Sequence, residues 1–259
     1  MDITLVQAEL HWEDREANIR MLDNVLNALG KTDLIVLPEM FTTAFSNRSK
    51  DLAETMDGPT LAWMREKAKE NGATITGSVM ISDKGENFNR MLWVRPDGEV
   101  SHYDKRHLFR MAGEHDHFSQ GKERVIVELN GWRVMLQVCY DLRFPVFSRN
   151  RYMNGQYEYD LILYVANWPK PRHNAWSGLL RARAMENLAY CVGVNRVGQD
   201  ANGLDYKGGS AIIDFLGNPR EEADDNASII QAVIDKESLL RFREKFPTGM
   251  DADSFTLIA

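Results

Sequence analysis

The sequence is poor in cysteine, in basic charge and in long apolar runs, and each shortage removes a class of protein. Only two cysteines, Cys139 and Cys191, stand in 259 residues. Both lie in apolar, strand-like surroundings, which argues against a disulfide framework and for a reducing, cytoplasmic setting. Lys and Arg total 31 against 38 Asp and Glu, a net charge of −7, the wrong sign for coating a nucleic acid. No segment approaches the roughly 20 apolar residues that a membrane helix needs. The start, Met1-Asp2-Ile3-Thr4-Leu5-Val6-Gln7, lacks the basic opening and apolar centre of a secretory signal and reads as a strand. Neither a nucleic acid nor a membrane is an expected partner. His107, His115, His117 and His173 have no compact ligand spacing, so no metal is expected. Gly208-Gly209-Ser210 is too short for a phosphate loop and reads as a place of close backbone approach. With no linker, repeat or low-complexity stretch, one domain over residues 1–259 is expected.

What is present is an alternation of strand and helix periods. Strand-like segments are Ile3–Gln7, Leu34–Leu37, Ala73–Ile81, Asn87–Val94, Glu99–Tyr103, Val125–Leu129, Arg133–Val138, Leu161–Val165 and Tyr190–Asn195. Ala211–Phe215 and Ser228–Ile234 resemble strands around the turn Gly217-Asn218-Pro219. Helical spacing marks Arg15–Leu29, Thr60–Asn71, Phe147–Asn154, Ala175–Asn187 and Lys236–Lys245. Longer loops are expected at Arg106–Lys122 and Gly198–Leu204, and Phe246–Ala259 reads as a tail. Mixed βα units and hairpin-like pairs predict two mixed sheets packed together with helices outside.

Three polar residues follow strand-like runs: Glu39 after Leu34–Pro38, Lys105 after Val100–Tyr103, and Cys139 after Gly131–Val138. Side chains at strand ends converge on the crevice where α/β folds place ligands. A thiol on a strand-to-helix turn can sit beside unpaired N–H groups, where a local dipole favours thiolate and an oxyanion can be received. Taken singly, Glu39 could be a cap, Lys105 a solvated loop charge and Cys139 a buried hydrophobe. Together they supply a base, a fixed cation and a thiol, the parts needed to cleave a carbon–nitrogen bond through a thioester.

The boxes Leu37-Pro38-Glu39-Met40-Phe41, Tyr103-Asp104-Lys105-Arg106-His107-Leu108-Phe109 and Val138-Cys139-Tyr140-Asp141-Leu142-Arg143-Phe144-Pro145 resemble, in order and spacing, the three signatures of the nitrilase superfamily of carbon–nitrogen hydrolases. Ala166-Asn167-Trp168-Pro169 and Arg181–Asn187 fit as well. The resemblance implies a four-layer αββα sandwich and a catalytic triad of Glu39, Lys105 and Cys139. It also implies a further active-site glutamate, best matched by Glu114 before Ser119-Gln120-Gly121, and a homodimer. Cys139 would attack the amide carbon while Glu39 takes its proton, and Lys105 with the Tyr140 backbone N–H would hold the oxyanion.

Phe41, Phe109, Phe118, Tyr140 and Trp168 are expected as walls of a small pocket. Arg172 is a candidate partner for a substrate carboxylate, with a solvated loop cation as the alternative. Arg143 and Arg183 read as structural arginines paired with carboxylates such as Asp141 or Glu186, and Cys191 as core. Within the superfamily the chain resembles the omega-amidases, which act on small-molecule amides such as 2-oxoglutaramate, 2-oxosuccinamate and succinamate. The long extension found after the core in nitrilases proper is not expected here. An N-carbamoyl amino-acid amidohydrolase or another small aliphatic amidase is the enzymatic alternative. A non-catalytic member binding a metabolite or partner is the alternative from another class. Self-association is expected through the Phe147–Asn154 and Ala175–Asn187 helices and the tail, with Phe246, Met250, Phe255, Leu257 and Ile258 as its apolar residues.

Overall fold

Alternate residues of the first strands point to different cores, and that sets the layering. In a computed structural model that describes residues 1–257, Ile3, Leu5, Leu34 and Val36 face one core while Val6, Ile35 and Leu37 face another, as the period of two requires. The first core lies between two six-stranded sheets, where those residues meet Leu136, Val138, Leu163 and Val165. The second lies under the helices Arg15–Asn27 and Pro59–Asn71, through Leu22, Leu26, Leu61 and Met64. On the far side, His173–Asn187 and Lys236–Lys245 cover the other sheet with Trp176, Leu180 and Leu239. The order helix, sheet, sheet, helix makes an αββα sandwich.

Each sheet is parallel at its centre and antiparallel at its margins. In the first, Asp2–Gln7, Leu34–Val36 and Thr74–Asp83 are parallel neighbours. Glu86–Val94 and Val100–Asp104 extend it on one side, and Ser228–Val233 on the other. In the second, Trp132–Val138, Leu161–Ala166 and Tyr190–Asn195 are parallel, flanked by Ile126–Leu129, Ala211–Ile213 and Pro219–Glu222. The parallel strands are buried along their length, which explains their continuous apolar sequence. Close packing of the outer helix is visible at Gly193, where a Cβ would lie 2.6 Å from Leu180. Cys191, two residues earlier, is fully buried core.

The helix starts follow local chemistry. The Asp14 carboxylate accepts the Ala17 N–H, and Asp235 accepts those of Glu237 and Ser238, satisfying donors that a helix leaves free. Pro59 opens its helix, and Gly72, at φ 60°, closes it.

Three expectations are corrected. The helix over Phe147–Asn154 is only Pro145–Ser148, and Tyr152–Met153 then pairs with Gln156–Tyr157. Asn154 and Gly155 take φ 54° and 80°, the paired positive φ of a tight hairpin turn for which Asn-Gly is suited. Gly198–Leu204 is not a plain loop: Val197–Gln199 pairs with Asp205–Lys207. Ala211–Ile213 pairs across the Gly217 turn with Pro219–Glu222, whose four residues are all exposed and so show no alternation. Ser228–Val233 instead joins the other sheet beside Asp2–Gln7. In the tail, Phe246 and Met250 are exposed and Leu257 lies beside Phe144 and Phe147; Ile258 lies outside the described residues.

Candidate active site

Glu39 and Lys105 come from the ends of first-sheet strands, and Cys139 directly follows the Trp132–Val138 strand of the second. The turns that carry them are sharp. Met40 has φ 44° and Cys139 φ 45°, a left-handed backbone that residues with a Cβ rarely adopt. Cys139 opens a 3-10 turn, Cys139–Arg143. Glu114 opens another, Glu114–Asp116, inside the loop that follows Lys105.

These residues meet. Lys105 Nζ donates to Glu39 Oε1 at 2.9 Å and to both Glu114 oxygens at 3.0 and 2.9 Å, and all three side chains are fully buried. Asn89 Nδ2 bridges the carboxylates, 2.8 Å from Glu39 Oε1 and 3.1 Å from Glu114 Oε1. The Asn167 N–H reaches Glu39 Oε2 at 2.8 Å, and the Phe109 N–H reaches Glu114 Oε2 at 2.6 Å. Buried charges persist when paired and hydrogen-bonded in this way.

The electrostatics follow from two carboxylates around one ammonium. Burial works against the Lys105 charge, but Glu114 and then Glu39 outweigh it, so its pKa is raised and it stays a cation. Burial raises the Glu114 pKa, Lys105 opposes and Glu39 adds to it, for a net rise. Burial and the nearby Glu39 carboxylate push the Cys139 thiol well above its ordinary value, against the pull of Lys105. This corrects the expectation that a local dipole favours thiolate. The segment after Cys139 is a short 3-10 turn and a four-residue helix, too short to offset an anion beside the sulfur. Glu39 thus stands beside the thiol as the charge that most opposes its ionisation.

A cavity of about 420 Å³ opens over Cys139 and Lys105. Phe109, Tyr140 and Trp168 line it, as does Arg172. The Phe109 and Tyr140 rings are 5.0 Å apart, and the Arg172 guanidinium lies 5.2 Å from the Phe109 ring centre. Tyr140 is the second residue of the Cys139 turn, whose opening N–H groups have no carbonyl to bond within the turn.

Phe41 and Phe118 are not walls. Phe41 is fully buried under the outer helices, 5.9 Å from the Trp63 ring, because the turn at Met40 sends it away from Glu39. Phe118 packs with Met40 and Met80 in a small separate cluster. Arg143 is also corrected. It is exposed, it lines the cavity, and its guanidinium lies 5.0 Å from the Trp168 ring centre. Among the described residues neither Arg143 nor Arg172 has a carboxylate partner. Arg183 is buried, 2.8 Å from Glu186, and donates to the Leu142 carbonyl at 2.6 Å. Asn89, Asn167 and the cavity residue Phe45, whose ring faces Lys105 Nζ at 5.6 Å, had no role assigned from sequence. Asn167 lies within the Ala166-Asn167-Trp168-Pro169 box, whereas Asn89 is one of several polar residues in its strand and nothing local distinguishes it.

The family model for carbon-nitrogen hydrolases matches residues 2–244. The chain belongs to that family. As a carbon–nitrogen hydrolase of the nitrilase superfamily, it acts on carbon–nitrogen bonds other than peptide bonds. It is 48% identical to the omega-amidase YafV of Yersinia enterocolitica, over 100% of this chain and 99% of that protein. It is 30% identical to a 2-oxoglutaramate amidase of Bacillus subtilis, over 96% of each. Among solved structures it resembles a CN-hydrolase superfamily protein of Xanthomonas campestris that carries an arsenic adduct in its active site. That match has a TM-score of 0.97 and 50% identity, covering 99% of this chain and 98% of the other.

Proposed function

We propose that this hydrolase is an omega-amidase that releases ammonia from the terminal amide of 2-oxoglutaramate, 2-oxosuccinamate or succinamate. The observation that carries the reading is the pairing, in one cavity, of a buried thiol–ammonium–carboxylate cluster with two guanidinium groups that have no carboxylate partner among the described residues. The first suits an amide carbon and the second suits a carboxylate at the far end of the same small molecule. The full-length likeness to relatives named omega-amidase and 2-oxoglutaramate amidase supports the same substrate class.

In the first half-reaction the Cys139 sulfur bonds to the amide carbon and its proton passes to Glu39. The oxyanion lies against Lys105 Nζ and the Tyr140 N–H, where removing one such donor typically costs about 10²–10³ in rate. The carbon–nitrogen bond then breaks as Glu39 returns the proton to the leaving nitrogen, giving ammonia and a thioester. In the second half Glu39 takes a proton from water, the hydroxyl bonds to the carbonyl carbon, and the carbon–sulfur bond breaks. The sulfur leaves with that proton, so one carboxyl serves as base and acid in turn. Glu114 and Glu39 keep Lys105 charged, and Asn89 holds both carboxylates in place. Both sheets contribute to this site, in keeping with action as one domain.

The test is ammonia release from succinamate and 2-oxoglutaramate, compared with an N-carbamoyl amino acid and with butyramide, which lacks the far carboxylate. The two dicarboxylate monoamides are expected to have the higher kcat/KM. Faster turnover of the carbamoyl compound would transfer the assignment to N-carbamoyl amino-acid hydrolysis. A Cys139 inert to thiol reagents, without turnover of any amide, would favour a non-catalytic binding role.

We further propose a cytoplasmic homodimer. The two cysteines are unpaired, and no helix among the described residues is long and apolar enough to cross a membrane. Exposed Val146, Met153 and Met250 are apolar groups that a second copy would cover. Sedimentation at micromolar protein should give twice the chain mass; a monomer there contradicts the pairing.

A further inference from the structure

Cys139 is carried by one sheet and Lys105 by the other. Their separation is therefore set by side-chain contacts and not by the regular spacing of a single ladder. The contact that ties them is Asp141, fully buried two residues after Cys139. Its Oδ2 accepts the Tyr103 hydroxyl at 2.8 Å and the Val138 N–H at 2.9 Å. Its Oδ1 accepts the His107 N–H at 3.0 Å and lies 2.7 Å from His107 Nδ1. A carboxylate can only accept, so Nδ1 carries the proton and all four partners are donors. Tyr103 and His107 stand two residues on either side of Lys105. The His107 ring is itself clamped, stacked on Phe144 at 3.8 Å and edge-on to Phe147 at 5.3 Å.

Asp141 therefore grips the residue before Cys139 on one side and both flanks of Lys105 on the other. Cys139 also holds a left-handed φ of 45°, a conformation that persists only where its surroundings over-determine it. We propose that Asp141, held by Tyr103 and His107, is a positioning residue that registers the Cys139 sulfur against the Lys105 ammonium. The inference rests on the reading of Cys139 as the nucleophile. An asparagine is a poor substitute for Asp141, because each oxygen faces a backbone N–H, that of Val138 or of His107, which an amide nitrogen in its place would oppose.

The experiment compares Tyr103→Phe, Asp141→Asn and the double variant on succinamate, each normalised to active sites by titration with a thiol reagent. Tyr103→Phe removes one charged hydrogen bond and is expected to lower kcat about ten-fold. Asp141→Asn frees the turn and is expected to lower it about 10²-fold, the scale of a 1 Å misplacement. KM should change little in both, and the double variant should be no slower than Asp141→Asn alone, since both act through one carboxylate. Asp160→Asn, far from the cavity, serves as a control that lowers stability while kcat per active site stays unchanged. If Asp141→Asn does not fold, Tyr103→Phe alone decides. An undiminished kcat per site in Tyr103→Phe overturns the inference, as does a loss confined to KM. Full activity in Cys139→Ala would instead sink the reading of the nucleophile, which keeps the two failures distinct.

Discussion

Lys105 donates its backbone N–H to the carbonyl of Asn89 at 3.0 Å, and the side chains of the same two residues grip the same two carboxylates. Neighbouring strands thus set a cation and a neutral donor side by side, and both Glu39 and Glu114 are fixed from one direction. Replacing Asn89 by Leu keeps the volume and removes a hydrogen bond from each carboxylate. We expect kcat/KM for succinamate to fall about 10–10²-fold, the scale of hydrogen bonds to charged groups. Steady-state ammonia release measures it, and an unchanged value would make Asn89 a bystander.

Glu39→Gln separates thiol ionisation from catalysis. The Glu39 anion helps to raise the Cys139 pKa, so its removal should lower the apparent pKa at which Cys139 is alkylated by iodoacetamide. More thiolate should nevertheless accompany loss of ammonia release, because no base remains to carry the proton to nitrogen. The pH dependence of alkylation checks the direction. An apparent pKa that rises would show that Glu39 does not act on the sulfur as described.

Arg143 should discriminate by charge. Arg143→Gln is expected to lower kcat/KM for succinamate about 10–10²-fold and to leave butyramide unaffected, since only the former offers a carboxylate. Parallel kinetics on both amides make the comparison. Equal losses on the two would assign Arg143 to the cavity wall and not to substrate recognition.

Asp160 sets an acid limit on stability. Burial alone would raise its pKa, but Arg133, Arg243 and Lys236 lower it to about 2. A folded-state pKa below the ordinary value of about 3.8 contributes stability that is complete above that value and is lost as pH falls through about 2. The contribution is about 2 kcal/mol. Asp160→Asn should therefore be less stable than the parent by at least about 2 kcal/mol at pH 7 in urea, with the gap closing near pH 2. A gap independent of pH would mean that the carboxylate charge is not what matters.

How much of this was legible in the sequence depends on how loudly each residue speaks. Glu39, Lys105 and Cys139 are chemically conspicuous at the ends of strand-like runs, and their strand positions alone bring them toward one crevice. Asn89 is one of several polar residues in its strand, and nothing local marks it as the bridge between two acids 25 and 50 residues away. Phe41 and Phe118 were misplaced because aromatic character predicts burial but not the side. For Phe41 the side follows the sharp turn at Met40, which has φ 44°. Arg143 was misread because an arginine beside Asp141 in sequence suggests an ion pair, whereas Asp141 is saturated by Tyr103, Val138 and His107. The Tyr152–Tyr157 hairpin carries its Asn-Gly signal in plain view, whereas Phe144-Pro145-Val146-Phe147 reads as the entry to a longer helix than the four residues that form.

The central claim is that the Cys139 sulfur forms the bond that displaces ammonia. The most direct measurement is ammonia release from succinamate by Cys139→Ala, with urea unfolding to show that the variant is folded. The account predicts parent-like stability and no release above the uncatalysed background. Substantial residual amidase activity in the folded variant would contradict it.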